Sequence, residues 1–182
     1  MRLVGDGRTH YHAGNTYSPT PSKEEFLVLL HMIAALDWDY VLVDEKRAFL
    51  NAKYKGESKV FAKLRGDNKY YEVLGALYGL KTSPRDYNSE VVDRLISMGF
   101  TRLQMCSCIF VKRDTEAGTI VIIYDFVDDF FGTSNSLSAL QSFVTNFRKI
   151  VSTTDPEWIA PIVLGMEIRN FSQNDDENTG VS

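Results

Sequence analysis

Apolar side chains recur along this chain at two spacings, and each spacing marks a different kind of element. Phe26, Leu29, Leu30 and Ile33 return every three or four residues as far as about Leu36, as one buried helix face requires. Ser22, with Glu25 three residues on, forms a capping box at its start. Val91, Leu95 and Met98 make a second stripe. Ser83 can cap it, Pro84 suits its first position, Asp86 its first turn, and Gly99 stops it. Leu140, Phe143, Val144 and Phe147 predict a third helix over about 137–150.

Between these stripes the apolar runs are short, β-branched and aromatic, as in strands. Residues 40–44 form one such run, which ends in the carboxylate of Asp44. Residues 59–65 and 69–73 flank a Gly-Asp-Asn turn as a hairpin would, and 109–112 and 119–127 flank a charged turn containing Gly118. Asp128 and Asp129 interrupt the second hairpin before Phe130 and Phe131 resume it, and a last strand is expected over about 162–168. Residues 1–21, rich in Gly, Thr, His and Pro, read as a loop or edge strand that packs against something else. From about Asn170 the polar tail, 170–182, is expected to be disordered. Helices set apart from a mainly antiparallel sheet predict an α+β layer structure, not a doubly wound one, in a single domain over 1–169.

The chain has 182 residues, 44% of them hydrophobic, enough for one core. No apolar run approaches the roughly 20 residues that cross a bilayer, and the first residues have no apolar signal-peptide core. The expectation is an intracellular, cytoplasmic protein that does not enter membranes. Cys106 and Cys108, one residue apart, suit neither a disulfide framework nor a zinc knuckle, so they read as reduced, buried thiols; His10 and His12 read as loop histidines. The formal charge of -4 argues against nucleic-acid binding when taken as a total. Its distribution differs, because Lys46, Arg47, Lys53, Lys55, Lys59, Lys63, Arg65 and Lys69 face only Glu45, Glu57 and Asp67 in one segment. That segment is either a basic face for phosphates or a solvated hairpin whose lysines protect an exposed edge.

Asp128 and Asp129 stand side by side between two apolar strand halves, where a tight turn would carry both carboxylates to the tip of a hairpin. Such a tip suits a hard cation, although Asp is also an ordinary turn residue. Asp44 is the candidate third carboxylate, and the residues after it carry a resemblance. Asp44-Glu45-Lys46-Arg47-Ala48-Phe49-Leu50-Asn51 resembles the Asp-x-Lys-x-Ala-Phe-Leu-Asn pattern of copia-type LTR-retrotransposon reverse transcriptases. Ala76-Leu77-Tyr78-Gly79-Leu80-Lys81 with Pro84-Arg85 is similar to the family's Ala-Leu-Tyr-Gly-Leu-Lys-Gln-x-Pro-Arg. Phe126-Val127-Asp128-Asp129 is similar to its Tyr-Val-Asp-Asp, and Leu164-Gly165-Met166-Glu167-Ile168 to its Leu-Gly-Ile-Glu-Ile. Arg2-Leu3-Val4 and Thr16-Tyr17-Ser18-Pro19 look like its fingers segment, so the blocks run in register from Arg2 to about Arg169.

The resemblance implies the fingers and palm of a right-hand polymerase, part of a pol polyprotein, without thumb or RNase H. It implies an RNA template, a DNA primer and deoxynucleoside triphosphates as partners, and a virus-like particle as the setting. Asp44, Asp128 and Asp129 would be the catalytic residues and the metal ligands, holding two Mg²⁺ ions (or Mn²⁺ in their place) roughly 4 Å apart. Phe49 would lie beneath the incoming sugar and clash with a ribose 2′-OH, although its spacing also suits a core residue. Arg2 and Thr82 would meet the nucleotide. Lys46, Lys81 and Arg85 would touch nucleic acid, or, for the last two, simply be solvated.

Four positions depart from the family pattern. Thr82 stands for the usual Gln, Asp6 for a Lys, Phe126 for a Tyr, and Asp125 places a carboxylate in an apolar strand. Buried there as a charge without a partner, that carboxylate costs several kcal/mol or takes up a proton. With these departures a second reading stays open, an inactive remnant or a nucleic-acid-binding module. An α/β phosphoacceptor domain would also group acids, but the hairpin signals oppose its parallel strands.

Overall fold

The computed structural model describes residues 4–5, 14–56, 58–64, 66–158, 162–163 and 165–168. Its sheet grows from the apolar runs and its helices from the apolar stripes. Helix α1 spans Lys23–Leu36, α2 Ala48–Asn51, α3 Ser83–Ser97 and α4 Leu137–Ile150. The strands are β1 Asp39–Asp44, β2 Phe61–Lys63, β3 Tyr70–Glu72, β4 Thr101–Arg102, β5 Ile109–Asp114, β6 Thr119–Phe126, β7 Asp129–Ser134, β8 Ile162–Val163 and β9 Met166–Glu167. Five of them form one antiparallel sheet in the order β1-β7-β6-β5-β4, which bears out the α+β expectation.

Both faces of this sheet are covered. On one, Val41, Val43, Val121, Ile123 and Phe130 pack with Tyr87, Val91 and Leu95 of α3 and with Leu140, Phe143, Val144 and Phe147 of α4. On the other, Tyr124 and Phe131 pack with Phe26, Leu29 and Ile33 of α1 and with Val163 of β8. Two-sided burial explains why β6 reads as a nearly unbroken apolar run and does not alternate. Each fully buried Leu or Phe in these layers contributes about 2 kcal/mol. Helix α4 crosses the sheet at Gly132, where an added Cβ would stand 3.2 Å from Ile123, Leu140 and Val41 side chains at once. The outer edge of β1 is closed by the segment after α4. Leu42 and Glu157 exchange backbone hydrogen bonds of 2.9 Å, and Thr154 N–H donates to the Asp44 carbonyl.

Two expectations need correction. Thr82, not Ser83, precedes α3, and neither side chain caps it: Thr82 makes no capping bond, and the Ser83 hydroxyl donates 2.6 Å to the Leu77 carbonyl. The run 162–168 is not one strand: Gly165 takes a left-handed φ of 74° and turns it back on itself as the β8–β9 pair. The expected hairpin over 59–73 is present as β2–β3, a separate two-stranded sheet. Both thiols are free, as expected, but only Cys108 is buried while Cys106 is half-buried, and burial pushes the Cys108 thiol up to about 12. The expected disordered tail, and Arg2 and Asp6, lie outside the described residues. No helix among the described residues is long and apolar enough to cross a membrane.

Of the buried carboxylates, Glu45 and Asp125 stand behind the end of the sheet. Glu45 follows β1 with the parity of Val41 and Val43, so its side chain enters the core and is 1% exposed. Its Oε1 accepts from Arg94 Nη1 at 2.9 Å and from Asn51 Nδ2 at 2.8 Å, and its Oε2 lies 2.8 Å from the Tyr87 hydroxyl. Both oxygens that burial strips of water thereby meet a polar partner, and two of the three partners are on α3. Asp125, near the end of β6, is 4% exposed and accepts from the Val127 N–H at 3.0 Å. Burial, above all, raises its pKa to about 7; the Glu45 and Asp128 charges add to this, while the Val127 N–H and Arg102 oppose it.

Arg94→Met would leave Glu45 buried without its cation, and equilibrium urea denaturation should show a loss of about 3 kcal/mol or more. A loss below about 1 kcal/mol would mean that the pair is not a strut of this fold. For Asp125, the folded-state pKa lies above an unfolded value near 3.9, so the folded chain keeps a proton that the unfolded chain has released. Stability from this group is present below about pH 4 and lost as pH rises through about 7. Melting temperatures of the native chain should therefore fall behind those of Asp125→Asn between pH 5 and pH 8; a gap independent of pH would contradict the buried, proton-binding carboxyl.

Candidate active site

Strand pairing brings the sequence-predicted carboxylates to one end of the sheet. In the β1–β7 register Asp44 stands opposite Asp129, and in the β6–β7 register Phe126 stands opposite the same Asp129. Val127 and Asp128 are left as a two-residue turn. The turn demands a left-handed residue, and Val127 supplies it with φ 72°, a conformation that costs a β-branched side chain about 1–2 kcal/mol. Bonds from outside the turn hold it in place. Asp125 accepts its N–H, the Tyr87 hydroxyl donates to its carbonyl, and the next carbonyl, that of Asp128, accepts the Glu45 N–H at 2.7 Å. Tyr87 has one proton for the Val127 carbonyl and Glu45 Oε2, and burial, with the Glu45 charge second, raises its pKa so that the proton stays.

Asp44 and Asp129 share the sheet face of Leu42 and Phe131 and are partly exposed, and Asp128 is also partly exposed, with Tyr78 hydroxyl 3.4 Å from its Oδ2. Glu157 adds a fourth negative charge from the segment along β1. The pKa of Asp129 is raised, first by burial and then by the charges of Asp44, Asp128 and Glu157. Among the described residues, no three His, Cys, Asp or Glu side chains are gathered closely enough to hold a metal ion. The donor set nevertheless suits a hard divalent cation: all-oxygen, acidic, and short of positive charge.

Phe49, in α2, meets the ring of Tyr78 edge-on at 4.5 Å and that of Tyr87 at 5.3 Å. It also lines a cavity of about 340 Å³ with Pro19, Pro84, Asp125 and Val127, so it packs against the core and faces open space at once. Thr82 is 0% exposed, and its hydroxyl has no hydrogen-bond partner among the described residues. Arg85 is engaged by the protein itself, with Nε 2.9 Å from Asp86 Oδ1 and Nη1 2.7 Å from the Asn15 carbonyl. Lys46 and Lys81 are exposed. Part of the basic segment is neutralised locally, Lys55 by Asp93 at 3.3 Å and Lys59 by Glu72 at 3.0 Å. Sequence reasoning did not single out Glu45, Tyr87, Tyr78 or Glu157. Only Glu45 left a signal, an acid at the buried parity of β1.

The family model described as "Reverse transcriptase (RNA-dependent DNA polymerase)" matches residues 2–174. Over 164 residues the chain is 26% identical to the "Retrovirus-related Pol polyprotein from transposon RE1" of Arabidopsis thaliana, an alignment that covers 86% of this chain and 11% of that polyprotein. The chain thus spans about a tenth of the length of the curated relative it matches. No solved structure matches. With the family matched over nearly its whole length, and its carboxylates drawn to one end of one sheet, the chain belongs to the reverse transcriptase family, in its copia-type branch.

Proposed function

We propose that this chain forms the palm and fingers of a right-hand polymerase and extends a DNA primer on an RNA template. The observation that carries the reading is the strand register that sets Asp44 against Asp129, with Asp128 in the adjoining turn. Asp44, Asp128 and Asp129 would hold two Mg²⁺ ions, or Mn²⁺, by rotation of side chains that are not gathered in this structure. The chemistry bound cations supply is neutralisation of the charge on the attacking 3′-oxygen and on the departing pyrophosphate. The rest falls to the chain. The β6–β7 turn fixes where the carboxylates stand, and phosphoryl transfer depends chiefly on such positioning.

Phe49 takes the place beneath the sugar. Its ring is braced by Tyr78 and Tyr87, so it cannot swing away to admit a 2′-OH, and it selects deoxynucleotides. Arg2 and Thr82 are assigned to the nucleotide side and Lys46, Lys81 and Arg85 to nucleic acid. For Arg85 this means exchanging its bond to the Asn15 carbonyl for one to a phosphate. The remainder of a Pol polyprotein would be the natural partner.

Purified chain with Mg²⁺ should extend a DNA primer on RNA, and Asp128→Asn should lower the rate by about a hundredfold or more while leaving the circular dichroism spectrum unchanged. Equal rates would refute the assignment, and a folded native chain that extends nothing would favour a remnant that only binds nucleic acid. Replacing the braced ring, in Phe49→Val, should raise incorporation of ribonucleotides relative to deoxynucleotides by about tenfold or more. An unchanged ratio would return Phe49 to the core alone.

A further inference from the structure

The turn that carries Asp128 is held in a conformation its own residues disfavour, and one of its supports has no place in the proposed chemistry. Val127 sits at φ 72°, and its carbonyl is bound by Tyr87, a residue of α3. Its N–H points the other way, back to the side-chain oxygen of Asp125, which itself hangs from β5 through its own N–H to the Cys108 carbonyl at 2.8 Å. Packing gives no reason for an acid at this position, since an apolar side chain would fill the 4%-exposed site between β5 and β7 at lower cost.

We propose that Asp125 is a positioning residue: by accepting the Val127 N–H it locks the left-handed turn and so sets where the Asp128 carboxylate stands. Without that acceptor the Val127 peptide can rotate toward the ordinary β region, which is favoured for a β-branched residue. Tyr87 alone does not prevent this, because its single proton is shared with Glu45. A change of Val127 φ swings the following Cα, which is that of Asp128. Asp125 also borders the cavity shared by Phe49 and Val127, so the same bond shapes the wall facing Phe49. The charged and titratable groups around it, Arg102, Glu45, Asp128, Tyr87 and Cys108, leave the acceptor role to geometry: Arg102 is spent on the Ser107 carbonyl at 2.6 Å and on Asn88.

The catalytic consequence rests on the proposed function, but the positional one does not. The test therefore pairs amide hydrogen exchange at Val127 with primer extension, in Asp125→Leu and Asp125→Asn. Leu has no acceptor, and its Val127 amide should exchange about tenfold faster or more than in the native chain, the loss of one hydrogen bond. Asn keeps an acceptor oxygen and should restore most of the protection. In extension, Leu should lower kcat more than it changes the nucleotide KM, although its melting temperature at pH 8 is no lower than that of the native chain; Asn should recover much of kcat. Equal Val127 exchange in Leu and native chains overturns the proposal, as does an Asn variant as unprotected as Leu. If the native chain extends no primer, the exchange result still decides the positional role, and only the proposed function fails.

Discussion

The Glu45 carboxylate is the interaction on which the site depends, because it lies where three separately folded pieces of chain meet. Its backbone N–H fastens the end of β1 to the Asp128 carbonyl in the β6–β7 turn, and its side chain fastens both to Tyr87 and Arg94 of α3 and to Asn51 of α2. A buried acid is a costly way to join layers, and a purely apolar junction can be at least as stable. What an acid adds is direction. Leu or Val at this position would tolerate small slips between strand and helix, whereas three donors at 2.8–2.9 Å fix their relative positions. The residue beside this clamp is Asp44, so any slip there would be passed to the first carboxylate of the site.

What could be read from the sequence follows what is local. The helix over 137–150 was legible, because one stripe of large apolar side chains marks its buried face. The start of α3 was not, because Ser83 is a good cap by type but its hydroxyl is taken by a carbonyl six residues away, that of Leu77, and the helix begins without a side-chain cap. The antiparallel sheet was legible from turns and β-branched runs, but its two covered faces were not, since coverage depends on where α1 and α4 return. Of the site, the three aspartates were recovered through motif resemblance, with spacing giving only their candidacy. Their supports were not: Tyr87 occupies a helix face where an aromatic reads as ordinary core, and Glu157 lies in a loop whose pairing with β1 spans more than 100 residues.

Charge is distributed against the simplest expectation for a protein of nucleic acid. Acids crowd the end of the sheet, where burial and then the charges of three neighbours raise the pKa of Asp129, while part of the local basic excess is answered by Asp93 and Glu72. Unscreened, the acidic end repels a polyanion, and only a bound cation reverses the sign of its field. In the proposed reaction, therefore, affinity for substrate and chemistry on it would depend on the same occupancy, and the surface lysines would act as orienting contacts more than as the source of attraction.

Two-sided burial also dictates where such a site can form. Helices α1, α3 and α4 cover the faces of β1, β6 and β7, which leaves the ends of these strands as the places where a polar group can reach solvent without opening the core. At one end, β6 and β7 are joined by only two residues, so a carboxylate there is displaced little by thermal motion of the loop itself. Such a short loop must adopt a twisted conformation, and with Val, not Gly, at its first position the twist is unfavourable unless bonded from outside. The buried polar groups behind the turn, Glu45, Tyr87 and Asp125, are thus the counterpart of its shortness: a longer, more relaxed loop would need none of them, but would not hold Asp128 in one place beside Asp44 and Asp129.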